Sequence, residues 1–172
     1  MRNHKNQLPN LPLTMLAGSL LLAGCSGISL PSLSLGGSPE PPPPPEPAMV
    51  PSKYTPEEIV GRWGFTSYQR ENDRARTIAS ARGQCRHPYV IAKGPTGGVM
   101  MHLADQRQPS ELRLKGSQDG KSYIGPESEP GGSTQDREIL SFDGRVLITR
   151  YVDPDAGNRY GNMVYVRCGP RA

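Results

Sequence analysis

Absences narrow this 172-residue chain first. No apolar run is long and unbroken enough to span a bilayer as a permanent helix. The run from Leu11 to Ala23 is interrupted by Pro12, Thr14 and Ser19, and a span needs about 20 continuous residues. No acidic residue precedes that run, although Arg2 and Lys5 do. The stretch Gly94-Pro95-Thr96-Gly97-Gly98 has no following lysine and no helical pattern behind it, so it reads as a turn and not as a phosphate cradle. Around Cys85-Arg86-His87 the four donors of a closed zinc site are missing. The acidic pairs Glu127/Glu129 and Asp153/Asp155 flank proline and glycine; they read as solvated loops, without the oxygen-rich pattern of a calcium site. No metal or cofactor is expected. Nowhere in the sequence do a nucleophile, a base and an orienting residue converge, so no catalytic activity is expected either.

What is present begins with an export signal, in which a basic leader precedes a short apolar run that ends in small residues. The run closes on Leu22-Ala23-Gly24-Cys25, followed by Ser26 and Gly27. This order resembles the lipobox of bacterial lipoproteins, where small residues precede an obligatory cysteine. The resemblance covers residues 1–27. It implies a signal peptide over 1–24 and a mature N-terminus at an acylated Cys25. Each buried methylene of an acyl chain contributes about 0.8 kcal/mol, so several chains together make a lasting membrane anchor. In lipoproteins of Gram-negative bacteria an aspartate after the cysteine favours inner-membrane retention. Ser26 therefore implies the outer membrane, facing the periplasm.

Residues 25–54 differ in composition from the remainder of the chain. Ser, Gly and Leu dominate to Gly37, then Ser38-Pro39-Glu40 leads into Pro41 through Pro45 and Glu46-Pro47. Consecutive prolines lack backbone donors and cannot enter a helix or a ladder. They favour polyproline II, rising about 3.1 Å per residue. The segment is expected to be a disordered tether that holds a domain away from the lipid. Docking in an aromatic groove or a link to the cell wall is the alternative.

Residues 55–172 suffice for one modest domain with its own core. Short β-rich runs between Gly and Pro turns cover Gly61 to Tyr68, Tyr89 to Lys93, Val99 to Ala104, Glu111 to Lys115, Ser122 to Gly125, Arg137 to Phe142, Val146 to Val152 and Met163 to Cys168. Glu111-Leu112-Arg113-Leu114-Lys115 alternates strictly, the mark of a half-buried strand. Asp143-Gly144 and Asp119-Gly120 sit between such runs as hairpin turns. Thr55-Pro56-Glu57-Glu58 carries a helix-start signal. Gln69 to Arg82 lacks proline and ends at Gly83; Glu71 with Arg74 and Asp73 with Arg76 make i,i+3 pairs. Its apolar side, chiefly Ala75, Ile78 and Ala79, is thin, which predicts a short helix or ordered loop over one end of a sheet. The fold class is mainly β: a small antiparallel barrel or sandwich of about eight strands with one short helical insertion, closure removing exposed edges.

With Cys25 modified, Cys85 and Cys168 remain, and an even pair in an exported domain is most simply a disulfide. It would close a loop of about 84 residues and contribute about 4 kcal/mol. A nucleophilic Cys85 served by His87 or His102 is the rival reading. Alternation along Val99 to Leu103 places His102 on the face of Met100. Trp63 is expected to fill one barrel end. The chain has 20 Lys and Arg against 16 Asp and Glu; loss of Arg2 and Lys5 with the leader leaves 18 basic groups and a formal charge of +2. Arg70, Arg74, Arg76, Arg82 and Arg86 concentrate locally and form either a solvated face or a contact for anionic lipopolysaccharide, phospholipid or peptidoglycan. Nucleic acid is not an expected partner of an exported chain.

Gly61-Arg62-Trp63 behind a Pro-rich tether resembles the opening strand of small lipocalin-like barrels, including outer-membrane lipoproteins of the metalloprotease-inhibitor kind. Those inhibitors often carry a cysteine pair near the domain start, whereas Cys85 and Cys168 lie far apart. The expected role is a lipid-anchored envelope protein, structural or binding, whose partners are the membrane and other envelope components. The resemblance implies protease inhibition as the alternative, and an enzyme ranks third.

Overall fold

The computed structural model describes residues 49–169. The expectations for Leu22, Ala23, Gly24, Cys25 and Pro41–Pro45 concern residues outside that range. Nine strands succeed one another in chain order: β1 (Val50–Pro51), β2 (Gly61–Tyr68), β3 (Tyr89–Lys93), β4 (Val99–Met101), β5 (Ser110–Gly116), β6 (Ser122–Gly125), β7 (Arg137–Phe142), β8 (Val146–Tyr151) and β9 (Asn162–Arg167). From β2 onward each strand pairs antiparallel with the next, and β9 returns to β2. The result is a closed, eight-stranded, up-and-down barrel. Closure rests on six residue pairs from Trp63↔Arg167 to Tyr68↔Asn162, so neither terminal barrel strand is left as a bare edge.

Strand β1 lies outside the barrel. Strand β4 pairs only with Ser110, Glu111 and Leu112 of β5, which leaves the far end of β5 open on that side. There Val50 and Pro51 pair with Gly116 and Lys115. Lys53 donates its backbone N–H to Ser122 Oγ at 3.0 Å, and the Tyr54 ring meets Phe142 edge-on at 5.4 Å. The packed domain thus begins upstream of residue 55, where composition had placed its start. Pro51 is tolerated because β1 is an edge strand with little ladder to complete.

Alternation sends Trp63, Ile91, Val99, Met101, Leu112, Ile124, Ile139, Leu147 and Tyr165 into the interior, where all are buried. Between Ile139 and Ser141 the register of β7 against β8 shifts, which leaves Leu140 exposed. One end of the barrel is plugged by α1 (Pro56–Ile59). Its start carries proline in the first turn, and Glu58 Oε2 accepts the Thr55 N–H at 2.9 Å. Ile59 is buried, and its carbonyl accepts Trp63 Nε1–H at 3.0 Å. Arg167 lies over the Trp63 ring at 4.1 Å and donates to the carbonyls of Glu58, Val60 and Gly144. Trp63 therefore closes this end, with a cation above it that also serves the orphan carbonyls of α1.

The insertion forms a 3₁₀ turn over Glu71–Asp73 and then α2 (Arg74–Gly83). It does not cover a barrel end. Ile78 and Ala81 pack with Tyr68, Val146, Ile148, Val164 and Val166, the outward residues of β2, β8 and β9. That outer wall offers apolar side chains which the interior does not use, so a thin apolar stripe suffices to hold the helix there. Gly64 makes the close approach possible: a Cβ at this position would meet the Ala81 carbonyl oxygen. Both i,i+3 pairs form, Arg74 to Glu71 at 3.4 Å and Arg76 to Asp73 at 2.7 Å. A third helix, α3 (Pro154–Tyr160), occupies what composition marks as a loop. Asp153 caps it by accepting the Ala156 N–H at 2.7 Å, with Pro154 in the first turn.

The two ends of the barrel differ. Short turns at 94–98, 117–121 and 143–145 join strands at the plugged end. The longer segments 102–109, 126–136 and 152–161 gather at the opposite end. The Gly94–Gly98 stretch is a turn, as expected. Glu111 anchors it by accepting from the N–H groups of Thr96 and Gly98.

Candidate functional site at the open barrel end

The first residue of β7, Arg137, shares its face with Ile139 and therefore points inward, at the end away from Trp63. It is only 1% exposed. One of its terminal nitrogens donates to the His102 carbonyl and to Tyr151 Oη, the latter at 3.1 Å. The other reaches Tyr165 Oη at 3.4 Å. Its carbon lies 4.9 Å from the centre of the Tyr151 ring. The Nε–H has no acceptor among the described residues. Among the described residues no carboxylate pairs with this guanidinium.

Aromatic rings surround the cation. Phe65, Tyr89 and Tyr165 lie 4.8–5.6 Å from one another, centre to centre. Tyr89 is also 5.7 Å from the His102 ring. Strand β4 ends at Met101, one residue before His102, so alternation with Met100 does not extend to it. The chain turns through Asp105, whose φ is +60°, and the His102 ring joins the mouth instead. Tyr89 Oη accepts the His102 backbone N–H and lies 3.1 Å from His102 Nδ1. Burial pushes the Tyr165 hydroxyl far above its ordinary pKa, and burial likewise raises Tyr151. Both hydroxyls stay neutral beside Arg137 and cannot serve as its counterion.

These groups line a cavity of about 280 Å³ formed by Phe65, Tyr89, His102, Arg137, Tyr151, Met163, Tyr165 and their neighbours. A second cavity, of about 330 Å³, adjoins it and shares Leu103, Asp105, Gln106 and Tyr151. Asp105 stands at the rim. Arg159 Nη1 lies 2.8 Å from its carboxylate and Tyr160 Oη donates to it at 2.6 Å. The Tyr160 hydroxyl first, and Arg159 after it, hold the Asp105 carboxyl below the ordinary range; Asp105 in turn raises Arg159.

A separate buried charge pair lies next door. Lys115 and Asp136 are 2.7 Å apart, with side chains 1% and 0% exposed. Lys115 also donates to the carbonyls of Pro126 and Glu129, and Asp136 accepts from the N–H groups of Gly132 and Ser133. Strict alternation had put Lys115 on a solvated face. The 126–136 segment folds over that face and buries it, and the same segment brings Glu127 to within 3.1 Å of Arg113.

Most of the residues singled out from the sequence lie elsewhere; His102 and Asp153 are the ones that line the cavities. Cys85 and Cys168 sit at disulfide distance, with Cα atoms 5.5 Å apart. They fasten the end of the insertion to the residue after β9. Arg70, Arg74, Arg76, Arg82 and Arg86 are all exposed; Arg74 and Arg76 are engaged with Glu71 and Asp73 on their own segment. Of the histidines, His102 faces the cavity, while His87 is exposed. Arg137, Tyr89, Tyr151 and Tyr165 carry the mouth, and sequence reasoning did not single them out. The signal in the sequence was an arginine in phase with Ile139 on a strand with a buried face. Among the described residues no three His, Cys, Asp or Glu side chains gather as a metal would require. Chemically, the arrangement offers a shielded cation, several hydroxyls and apolar ring surface. No family model, curated protein or solved structure matches the chain.

Proposed function

We propose that this protein is a lipid-anchored component of the bacterial envelope whose barrel is a non-catalytic binding module. It is held through acylated Cys25 at the outer membrane on the periplasmic side. The observation that carries the binding role is the asymmetry of the barrel. Short turns and the Trp63–Arg167 stack seal one end, whereas the other keeps a cavity under longer loops. Loops on a rigid scaffold are where recognition concentrates. The exposed Arg70, Arg82 and Arg86 offer a further contact for anionic headgroups or lipopolysaccharide.

Two measurements test the reading. Labelled fatty acid should enter the wild-type chain and not the Cys25→Ala variant; incorporation into the variant would refute the anchor. A photo-crosslinking side chain at Gln106, on the rim, should capture an envelope component in living cells. The same group at Asp119, at the plugged end, should not. Equal capture at both positions, or at neither, would remove the barrel mouth as the binding site.

A further inference from the structure

Arg137 is a nearly fully buried cation with no anion beside it among the described residues. Burying a guanidinium is costly unless it is paired and hydrogen-bonded, and proteins that bury one ordinarily supply a carboxylate. The two candidate acids are committed elsewhere. Asp136, its neighbour in sequence, faces Lys115. Asp105, on the rim, is held by Arg159 and Tyr160. The groups that do contact Arg137 are a carbonyl and two tyrosine hydroxyls, all neutral. They use three of its five N–H donors and leave Nε–H without an acceptor among the described residues. An unmatched positive charge therefore borders a cavity that opens at the barrel mouth.

The cavity also limits what can neutralise that charge. Its volume of about 280 Å³ lies at the lower edge of small-molecule sites, roughly 300–1,000 Å³, which favours a compact occupant. Phe65, Tyr89, Tyr151 and Tyr165 line it with aromatic rings, suited to a flat apolar body. A free inorganic anion would satisfy the arginine and leave these rings unused. A neutral aromatic would do the reverse.

We infer that the open end of the barrel binds a small organic carboxylate with a flat apolar body, its carboxylate on Arg137 and its body among Phe65, Tyr89, Tyr151 and Tyr165. The inference rests on the reading of the barrel mouth as a binding site and names the chemistry of its ligand. The carboxylate restores charge balance at the one site inside the barrel that lacks it among the described residues.

Phenylacetate and its neutral isostere phenylacetamide are suitable probes, applied by equilibrium dialysis to the full acylated chain in detergent, with detergent alone as the blank. The acid should bind at least about tenfold more tightly than the amide, the scale of a hydrogen bond to a charged group. Arg137→Met should abolish that preference, and Arg137→Lys should restore part of it. The wild-type chain supplies a check that needs no variant: lowering the pH through the carboxylate range should weaken binding of the acid and leave the amide unchanged. Equal binding of acid and amide would overturn the inference while the mouth remains a binding site. Saturable binding of neither probe would also overturn it; the binding reading falls with it only where crosslinking at Gln106 is absent as well.

Discussion

Lys115 and Asp136 show how much a single buried pair can organise. Lys115 reaches four partners in the 126–136 segment, namely Asp136 and the carbonyls of Pro126, Glu129 and Pro130, so its charge helps to fix where that segment lies. Breaking a buried pair from one side leaves the other charge unmatched, which costs about 3–5 kcal/mol. Lys115→Met should show a loss of that order in urea unfolding. Adding Asp136→Asn should return most of it, because the amide keeps the shape without the charge; simple additivity of the two losses would show that the pair is not coupled. At Asp143 the effect depends on pH. Backbone hydrogen bonding from Val146, opposed by partial burial and aided by Arg145, lowers its pKa below 3.8. A depressed carboxylate pKa stabilises the fold above the unfolded value and loses that contribution as pH falls through the folded one. The stability gap between wild type and Asp143→Ala should therefore be full at neutral pH and narrow below pH 3.8. A gap that does not change with pH would place the effect in the turn geometry alone.

At the scale of elements, α2 is held to the outer wall by a modest apolar patch and by the Cys85–Cys168 link. The two cysteines are 83 positions apart, and in the chain-entropy description such a cross-link contributes about 4 kcal/mol. Replacing both by serine should lower the denaturation midpoint while leaving the far-ultraviolet β signal in place. Hydrogen exchange should quicken in α2 before it does in β2. In the native protein both thiols should resist alkylation until reduced, and rapid labelling without reductant would show the link to be absent.

Local pattern and long-range geometry separate clearly here. Strands β2, β3, β6 and β7 begin and end where alternation and turn residues put them, since a period of two and an Asp-Gly turn are short-range properties. The helix α3 escaped because Gly157 and Asn158 are weak helix formers, and because its cap, Asp153 before Pro154, also fits a loop. The place of α2 was not legible because its apolar stripe does not say which surface it meets. The mouth was the least legible of all. Arg137, Tyr89, Tyr151 and Tyr165 come from four strands, and their meeting depends on barrel closure and stagger, not on spacing.

For the whole molecule, the proposal of a lipid anchor at Cys25 makes the Pro-rich stretch a spacer, which can be tested. Replacing Pro41–Pro45 by a Gly/Ser sequence of matched reach should leave the thermal unfolding of the domain unchanged. A fall of several degrees would mean that the stretch packs on the domain.

The strand that opens the barrel and the strand that closes it are the first and last of its eight. A chain that is still emerging from a ribosome has β2 but not β9, so its seam cannot be sewn. Until residues 167 and 168 are free, Trp63 lacks the arginine that roofs it and Cys85 lacks its sulfur partner. Native assembly is therefore an event of completion: the barrel locks only when its first and last strands are both present to meet.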